Sequence, residues 1–323
     1  EFSEAAILRQ AQYGHWGGRT SFTFMARVIM LWNAKGGVGK TTSAISLASY
    51  LAISGKRVLL IDFDPQSNAS SALGFDKKSG AGTVYDGLLG KAPPIKLVQA
   101  SAVPKLDFIP AHPDLAGVTV ELLQKPERER YLHRLLDPFR YLYDYVLIDL
   151  PPSVSLLTVN GLVAADEVLI PVQCEYYGLE GLGQLLETVD LINKNLGRNL
   201  KIAGALITMY DAREHLSREV SKEVRRKFAG HVYGVEIPRA VALAEAPSFS
   251  KPIALYAPES IGARAYERLA RELVAQEATQ TVERFRQEVR VPVRLVRSDA
   301  PLAIPAAADA PLEDRPKVIF EYN

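Results

Sequence analysis

From Arg27 onward the chain alternates short, almost unbroken apolar runs with longer stretches in which apolar residues recur every three or four positions. The runs at 27–33 (RVIMLWN), 57–62 (RVLLID), 105–110 (KLDFIP), 145–150 (YVLIDL), 167–172 (EVLIPV) and 202–208 (IAGALIT) have the length of strands. They hold too few polar positions for a sheet with one wet face, and so predict strands buried on both sides, as in a parallel sheet. Helical periodicity occupies 40–54, 112–123, 127–141, 155–165, 178–195, 213–229 and 259–277. This alternation predicts an α/β fold: a doubly wound, mostly parallel sheet with helices on both faces, and ligands at the carboxyl ends of its strands.

The pattern fails at both ends. Residues 1–24 lack the apolar core of a signal peptide and carry Gly14, Gly17 and Gly18 instead. Met25 reads as the natural start, with 1–24 a cloning remnant or a disordered extension. Residues 25–280 read as one domain and 281–323 as a flexible tail, because 298–316 is rich in Ala and Pro and has no period. Between them VERFRQEVRVPVRLVR has five arginines against two glutamates, which suits a solvated helix end or a segment that touches membrane or DNA weakly.

Composition narrows the classes. Over 323 residues, 48% are hydrophobic and 23% charged, as in a soluble globular protein. The 38 Lys and Arg against 37 Asp and Glu leave a net charge of +1, so any surface for nucleic acid must be local. The single cysteine, Cys174, excludes an internal disulfide and a cysteine-ligated cluster, and a reducing cytoplasm is its natural setting. No apolar run reaches the roughly 18 residues that a bilayer span needs. The five histidines show no metal-ligand spacing, and Trp32 reads as core packing.

The strongest local signal is Asn33-Ala34-Lys35-Gly36-Gly37-Val38-Gly39-Lys40-Thr41-Thr42, placed between the first strand and the first helix. Glycines let backbone amides turn inward and approach phosphates, and the following helix presents its positive end. Lys40 then neutralises β- and γ-phosphate charge, and Thr41 offers its hydroxyl to Mg²⁺. The strict phosphate-loop pattern has glycine where Ala34 stands, and here an extra lysine, Lys35, precedes the glycine pair. Two strand ends supply carboxylates: Asp62-Phe63-Asp64-Pro65-Gln66 and Asp149-Leu150-Pro151-Pro152. In one sheet with a phosphate loop, such residues hold Mg²⁺ through water or orient the attacking water; alone, each caps a turn as readily.

NAKGGVGKTT resembles the deviant Walker A box of the ParA/MinD ATPases. The ordered motifs DFDPQSNAS, DLPPS, PVQCEYYGLEGL, ITMYDAR, IPR and AEAPSFSKPI resemble the chromosomal ParA (Soj) group within it, over roughly residues 26–277. The resemblance implies a deviant Walker A P-loop fold and a slow, Mg²⁺-dependent ATPase that forms a homodimer with ATP. Lys35 is then the signature lysine, reaching the partner's nucleotide as an arginine finger does, and Gly36 stays small to admit that approach. Asp64 positions the hydrolytic water, and Asp149, with Asp62, supports Mg²⁺. Met209, Pro238 and Arg239 lie in segments like those that frame adenine.

The family also implies a cytoplasmic, nucleoid-associated protein that binds double-stranded DNA non-specifically and is stimulated by a ParB-type centromere-binding partner. Asp211-Ala212-Arg213 matches a segment that supplies one DNA-contacting arginine. Arg218, Lys222 and Arg225 share one helix face with Arg226 and Lys227 beside them, while Glu219 and Glu223 line the neighbouring face. Relatives carry Arg-Asn-Val-Arg after the IPR motif where this chain reads Arg239-Ala240-Val241-Ala242, so a second basic residue is missing. The nearest rival is a MinD-like membrane ATPase, which needs a C-terminal amphipathic helix; Pro292 interrupts the basic candidate. A metabolic enzyme of the amidoligase or dethiobiotin-synthetase type needs substrate-specific groups that are not recognisable here. A nitrogenase-type iron protein is excluded by its cluster cysteines. A nucleotide-gated binding module with almost no turnover is the remaining reading.

Overall fold

A computed structural model describes residues 25–175 and 180–288, with the side chains of 180–182, 184 and 278–288 left out. The expected N-terminal extension, the Ala/Pro-rich tail and the centre of the PVQCEYYGLEGL motif lie outside the described residues. The strands are β1 (Arg27–Leu31), β2 (Val58–Asp62), β3 (Gln99–Ala100), β4 (Leu106–Ile109), β5 (Tyr145–Asp149), β6 (Glu167–Gln173) and β7 (Lys201–Thr208). Among the described residues they form one sheet in the order β3-β4-β2-β5-β1-β6-β7. Every pairing is parallel except β3 with β4.

The helices are α1 (Lys40–Ile53), α2 (Asn68–Ala72), α3 (Val84–Leu88), α4 (Val118–Leu122), α5 (Tyr131–Leu136), α6 (Leu156–Ala164), α7 (Glu180–Leu196), α8 (His215–Lys227), α9 (Val241–Glu245), α10 (Ile253–Tyr256) and α11 (Ile261–Glu288). They pack on both faces, and the strand sequences show why. Along β1, Val28 and Met30 enter one core with Leu132, Leu162, Leu185 and Val220, whereas Ile29 and Leu31 enter another with Leu47, Leu51, Tyr266 and Leu269. With alternate residues facing opposite sides, an unbroken apolar run serves two cores at once. Each large side chain so buried contributes about 1.5–3 kcal/mol.

The doubly wound fold read from periodicity is therefore the one observed, with differences at segment ends. The strand expected over 27–33 stops at Leu31; the Trp32 amide makes one more bond, to the Leu169 carbonyl at 3.2 Å, before the chain turns into a loop. The helix expected over 127–141 is broken into α5 flanked by 3₁₀ turns, one of them beginning Asp137-Pro138; proline lacks the amide that a continuous helix needs. The 112–123 stretch likewise starts as a 3₁₀ turn at Pro113 before becoming α4. Strand β3 was invisible in the sequence because two residues carry no period.

The topology switches direction at β1. The chain leaves β1 toward β2 and later returns through β5, which lies between them, while β6 and β7 extend the other side. Asp62 and Asp149 are paired across the β2–β5 ladder, and Leu31, the last residue of β1, is opposite Asp149. The loop after β1 thus opens beside two carboxylates at one edge, where such a switch places ligands.

Candidate active site

Residues 32–39 bridge β1 to α1 and are fastened on two sides. Asn33 donates from Nδ2 to the Pro171 carbonyl at 2.8 Å, and its Oδ1 accepts the Lys35 amide at 2.9 Å, so one side chain ties the loop to β6. Thr208, at the end of β7, donates from Oγ1 to the Val38 carbonyl at 2.9 Å. Gly37 and Gly39 take φ of 75° and 85°, a region that strains any residue with a Cβ. Gly39 is the N-cap of α1, so the amides of Lys40, Thr41 and Thr42 have no intrahelical acceptor and face the loop with the positive end of the dipole. Gly36 is different. A Cβ there would meet only Pro152 Cγ at 4.0 Å, an ordinary contact, so packing within the protomer does not require glycine at that position.

Both loop lysines are held. Lys40 is buried, and its Nζ donates to the carbonyls of Asn33 at 3.0 Å and Lys35 at 2.9 Å. Burial lowers its pKa, against the pull of Asp149 and Asp64. Lys35 points from the loop to Glu175, Nζ to Oε2 at 3.0 Å.

The three carboxylates are buried but differently engaged. Asp62 accepts the Ser70 amide at 2.7 Å, the Ser70 hydroxyl at 2.6 Å and the Asp64 amide at 3.2 Å. It caps the turn into α2, which confines any part at a metal to orientation through water. Burial still pushes its pKa up to about 6. Asp64 accepts the Gln66 amide at 2.9 Å and closes a tight turn at the mouth. Asp149 has no hydrogen-bond partner on either oxygen among the described residues. Burial drives its pKa well upward and nearby Asp62 adds to this; the Thr41 hydroxyl and Lys40 oppose the shift, Thr41 from outside hydrogen-bonding geometry.

An unpaired buried carboxylate costs several kcal/mol when ionised. Asp149 is therefore an unsatisfied carboxyl that a cation would stabilise in its ionised form, near the Thr41 hydroxyl and Lys40 at the start of α1. That donor set fits a hard divalent cation taking one or two protein oxygens and completing its shell with water and phosphate, as Mg²⁺ does. It is not a protein cage: no group of three or more His, Cys, Asp or Glu among the described residues is arranged to hold a metal.

The expected adenine-framing residues come together on a neighbouring rim. Residues 231–237 run along β7, with Ala205 bridged to Val232 and the Ile237 amide bonded to the Ile207 carbonyl at 2.9 Å. Gly204 makes room for this segment, since a Cβ there would lie 2.9 Å from the Tyr233 ring. The segment brings Pro238 to bridge Tyr210, and the Arg239 amide bonds to the Tyr210 carbonyl at 3.2 Å. Met209, at φ 53°, sits in the turn between Thr208 and Tyr210.

The basic residues divide. Arg213 is 89% exposed and lies against Asp211, Nη2 to Oδ2 at 2.6 Å. Arg218 bonds the Ala212 carbonyl, Lys222 pairs with Glu219, and Arg226 and Lys227 share Glu223, all at the surface. Arg225 is exposed as well, but its guanidinium is engaged off the helix, with the Tyr233 carbonyl at 3.1 Å and Glu236 at 3.3 Å. Trp32 and Cys174 are buried, and burial raises the thiol pKa to about 11, so neither is a ligand platform or a nucleophile. Sequence reasoning missed Asn33, Ser70, Thr208 and Glu175, whose roles are bonds to partners 8 to 170 residues away.

A family model described as an AAA domain matches residues 26–202. The chain is 51% identical over 251 residues to the sporulation initiation inhibitor protein Soj of Bacillus subtilis, covering 78% of this chain and 99% of that protein. To the chromosome-partitioning ATPase Soj of Treponema pallidum it is 50% identical over 253 residues, again covering 78% and 99%. Among solved structures, cobyrinic acid a,c-diamide synthase of Mycobacterium smegmatis with bound ADP and magnesium superposes with a TM-score of 0.70 at 36% identity, covering 79% of this chain and 97% of that one. The cell division ATPase MinD of Pyrococcus furiosus gives a TM-score of 0.65 at 26% identity, covering 78% and 100%.

Proposed function

The chain belongs to the Soj/ParA family of chromosome-partitioning ATPases, and from that premise we propose a Mg²⁺-dependent ATPase whose ATP-bound form is a homodimer that grips double-stranded DNA without sequence preference. The switch is assigned to residues 25–280. The observation that carries the reading is the unpartnered Asp149 carboxylate beside Lys40 and Thr41, at the mouth of a glycine loop.

The loop residues Gly36, Gly37, Val38 and Gly39 and the amides of Lys40, Thr41 and Thr42 seat the phosphates, and Lys40 moves its ammonium from loop carbonyls to phosphate oxygens. Thr41 and Asp149, with Asp62 through water, hold Mg²⁺, which draws charge off the β- and γ-phosphates. Asp64 holds the attacking water. Met209, Pro238 and Arg239 frame the adenine. Lys35 of each protomer reaches the nucleotide of the other. Two features support that pairing: Gly36 is not demanded by its own protomer, and Val154, in the same segment as Pro152, is apolar and 67% exposed. Arg213, Arg218, Lys222 and Arg226 hold DNA phosphates; a ParB-type partner stimulates hydrolysis, which releases the DNA. Such a cycle belongs to a cytoplasmic, nucleoid-associated protein.

The test is size-exclusion chromatography with light scattering of wild type and Asp64→Ala, each with ATP or ADP. Asp64→Ala should accumulate as an ATP-bound dimer and retain DNA; an ATP-loaded monomer sinks the switch. Sedimentation with DNA and with anionic liposomes separates this from a MinD-like role. An amidating enzyme, the chemistry named for one structural relative, needs an acceptor pocket at this edge. The cavity of about 570 Å³ between Gly87 and Leu135 includes no phosphate-loop residue in its walls.

A further inference from the structure

Lys35 is the charged side chain of residues 32–39, and it leaves the loop toward a carboxylate at a half-exposed position. Its ammonium meets Glu175 Oε2 at 3.0 Å, with the two side chains 37% and 47% exposed. Glu175 is itself fixed: its Oε1 accepts Gln173 Nε2 at 2.6 Å, and its amide bonds back to the Gln173 carbonyl at 2.8 Å. Gln173 ends β6 and is buried, and the intervening Cys174 amide bonds to the Thr208 carbonyl at 3.1 Å. The acceptor for Lys35 is therefore built from the ends of β6 and β7, unlike a mobile surface glutamate.

The backbone of Lys35 is already committed inside the loop. Its amide bonds to Asn33 and its carbonyl accepts Lys40. Only the ammonium is free to change partner. We propose that Glu175 is a positioning residue that stores Lys35 within its own protomer, so that pairing of two protomers requires the triphosphate of each to take Lys35 away from Glu175. The proposal rests on the reading of Lys35 given above and adds the group that opposes it.

The balance of charges makes this store selective. A half-exposed pair of this kind is weak, worth about 2- to 5-fold in an equilibrium. A γ-phosphate adds charge beyond what ADP carries, and a charge-assisted contact to it is stronger than the exposed pair it replaces. The dimer breaks the pair in both protomers, so the opposition is squared to about 4- to 25-fold. Storage at that level holds back pairing with ADP while yielding to ATP.

The experiment measures the dimerisation constant of the full chain by light scattering or sedimentation at saturating ATP, in the Asp64→Ala background so that nucleotide is not consumed. Glu175→Gln should tighten dimerisation by about 4- to 25-fold, and Gln173→Ala, which frees Glu175 without removing it, should shift the constant the same way by less. Glu175→Asp, with a shorter reach, should fall between Glu175→Gln and the parent. A structural staple would behave oppositely, because loosening the loop weakens nucleotide binding and pairing together. An unchanged or weaker dimer in Glu175→Gln overturns the proposal; should that variant not fold, the same result in Gln173→Ala overturns it. Lys35→Ala separates the two levels. If it still dimerises with ATP, the trans role of Lys35 and the storage role of Glu175 fall together; if it stays monomeric while Glu175→Gln equals the parent, only the storage role falls.

Discussion

The phosphate-loop edge of the sheet and the basic face of α8 are both rich in charge, and they treat it in opposite ways. At the edge, ionisable groups are buried and incompletely satisfied: Asp149 has no hydrogen-bond partner among the described residues, and Lys40 and Asp149 have pKa values displaced from their ordinary ranges by burial. On α8, Lys222, Arg226 and Lys227 lie in solvent with glutamates one turn away. Unsatisfied buried charge is expensive and persists only where a ligand completes it. Compensated surface charge costs little and is what any solvated helix displays. The first region thus argues for a site by its own energetics, whereas the second acquires meaning only from the family.

The largest test of that contrast is at the edge. Lys40→Ala should weaken ATP binding by about 100-fold by calorimetry, since it removes charge-assisted contacts from a dry site. Asp149→Asn should abolish measurable turnover and yet stabilise the ligand-free fold by about 1–3 kcal/mol, because it deletes an unpaired buried charge. The sign of the pH dependence follows. Asp62 and Asp149 have pKa values raised on folding, Asp62 to about 6. Their contribution to stability is complete below the ordinary carboxylate range near 4 and is lost as pH rises through the folded values. Urea midpoints of ligand-free wild type minus Asp149→Asn should therefore decline from pH 4.5 toward 8. A flat difference would mean that folded Asp149 ionises in the ordinary carboxylate range, so that burial does not penalise its charge, and the cation site would lose its basis.

The two regions also differ in how far the sequence disclosed them. The strand–helix alternation, the loop position and the three carboxylates were legible because buried strands, glycine spacing and strand-end aspartates each leave a local trace. What Asp62 does was not legible: its three donors come from Asp64 and Ser70, and a strand-end aspartate that caps a turn reads like one that serves a metal. The partners of Arg225 were not legible for a related reason. Helical spacing assigns a residue to a face, but Arg225 lies at a boundary where the 233–236 segment offers a carbonyl and a carboxylate. Glu175 lay within a recognised motif, yet no periodicity could show that it meets a lysine 140 residues earlier.

Smaller effects are expected at the surface. Arg213→Glu should weaken DNA binding by the ATP-bound dimer about 10-fold at moderate salt and reduce the slope of log affinity against log salt by about 2, one phosphate contact from each protomer. An unchanged slope would remove Arg213 from the DNA surface. Lys222→Ala should produce a milder loss by the same measurement, because its charge is shared with Glu219.

The finest comparison lies between adjacent arginines that the sequence alone does not distinguish. Arg226 is exposed and pairs with Glu223 on its own helix, so Arg226→Ala removes one phosphate-seeking charge and breaks nothing else of weight. DNA affinity should fall about 2- to 3-fold with the denaturation midpoint unchanged, as expected for an exposed pair worth less than about 1 kcal/mol. Arg225 instead joins α8 to the segment that carries Pro238 and Arg239, through the Tyr233 carbonyl and Glu236. Ser221 donates to the same Glu236 carboxylate at 2.6 Å, so Arg225→Ala leaves Glu236 partnered while stranding the carbonyl. Stability should fall by about 1 kcal/mol, with ATP affinity reduced through the loosened 238–239 rim and the DNA salt slope unchanged. If both variants reduced the salt slope equally, Arg225 would have to swing outward in the DNA-bound dimer, and α8 would act as one continuous basic face after all.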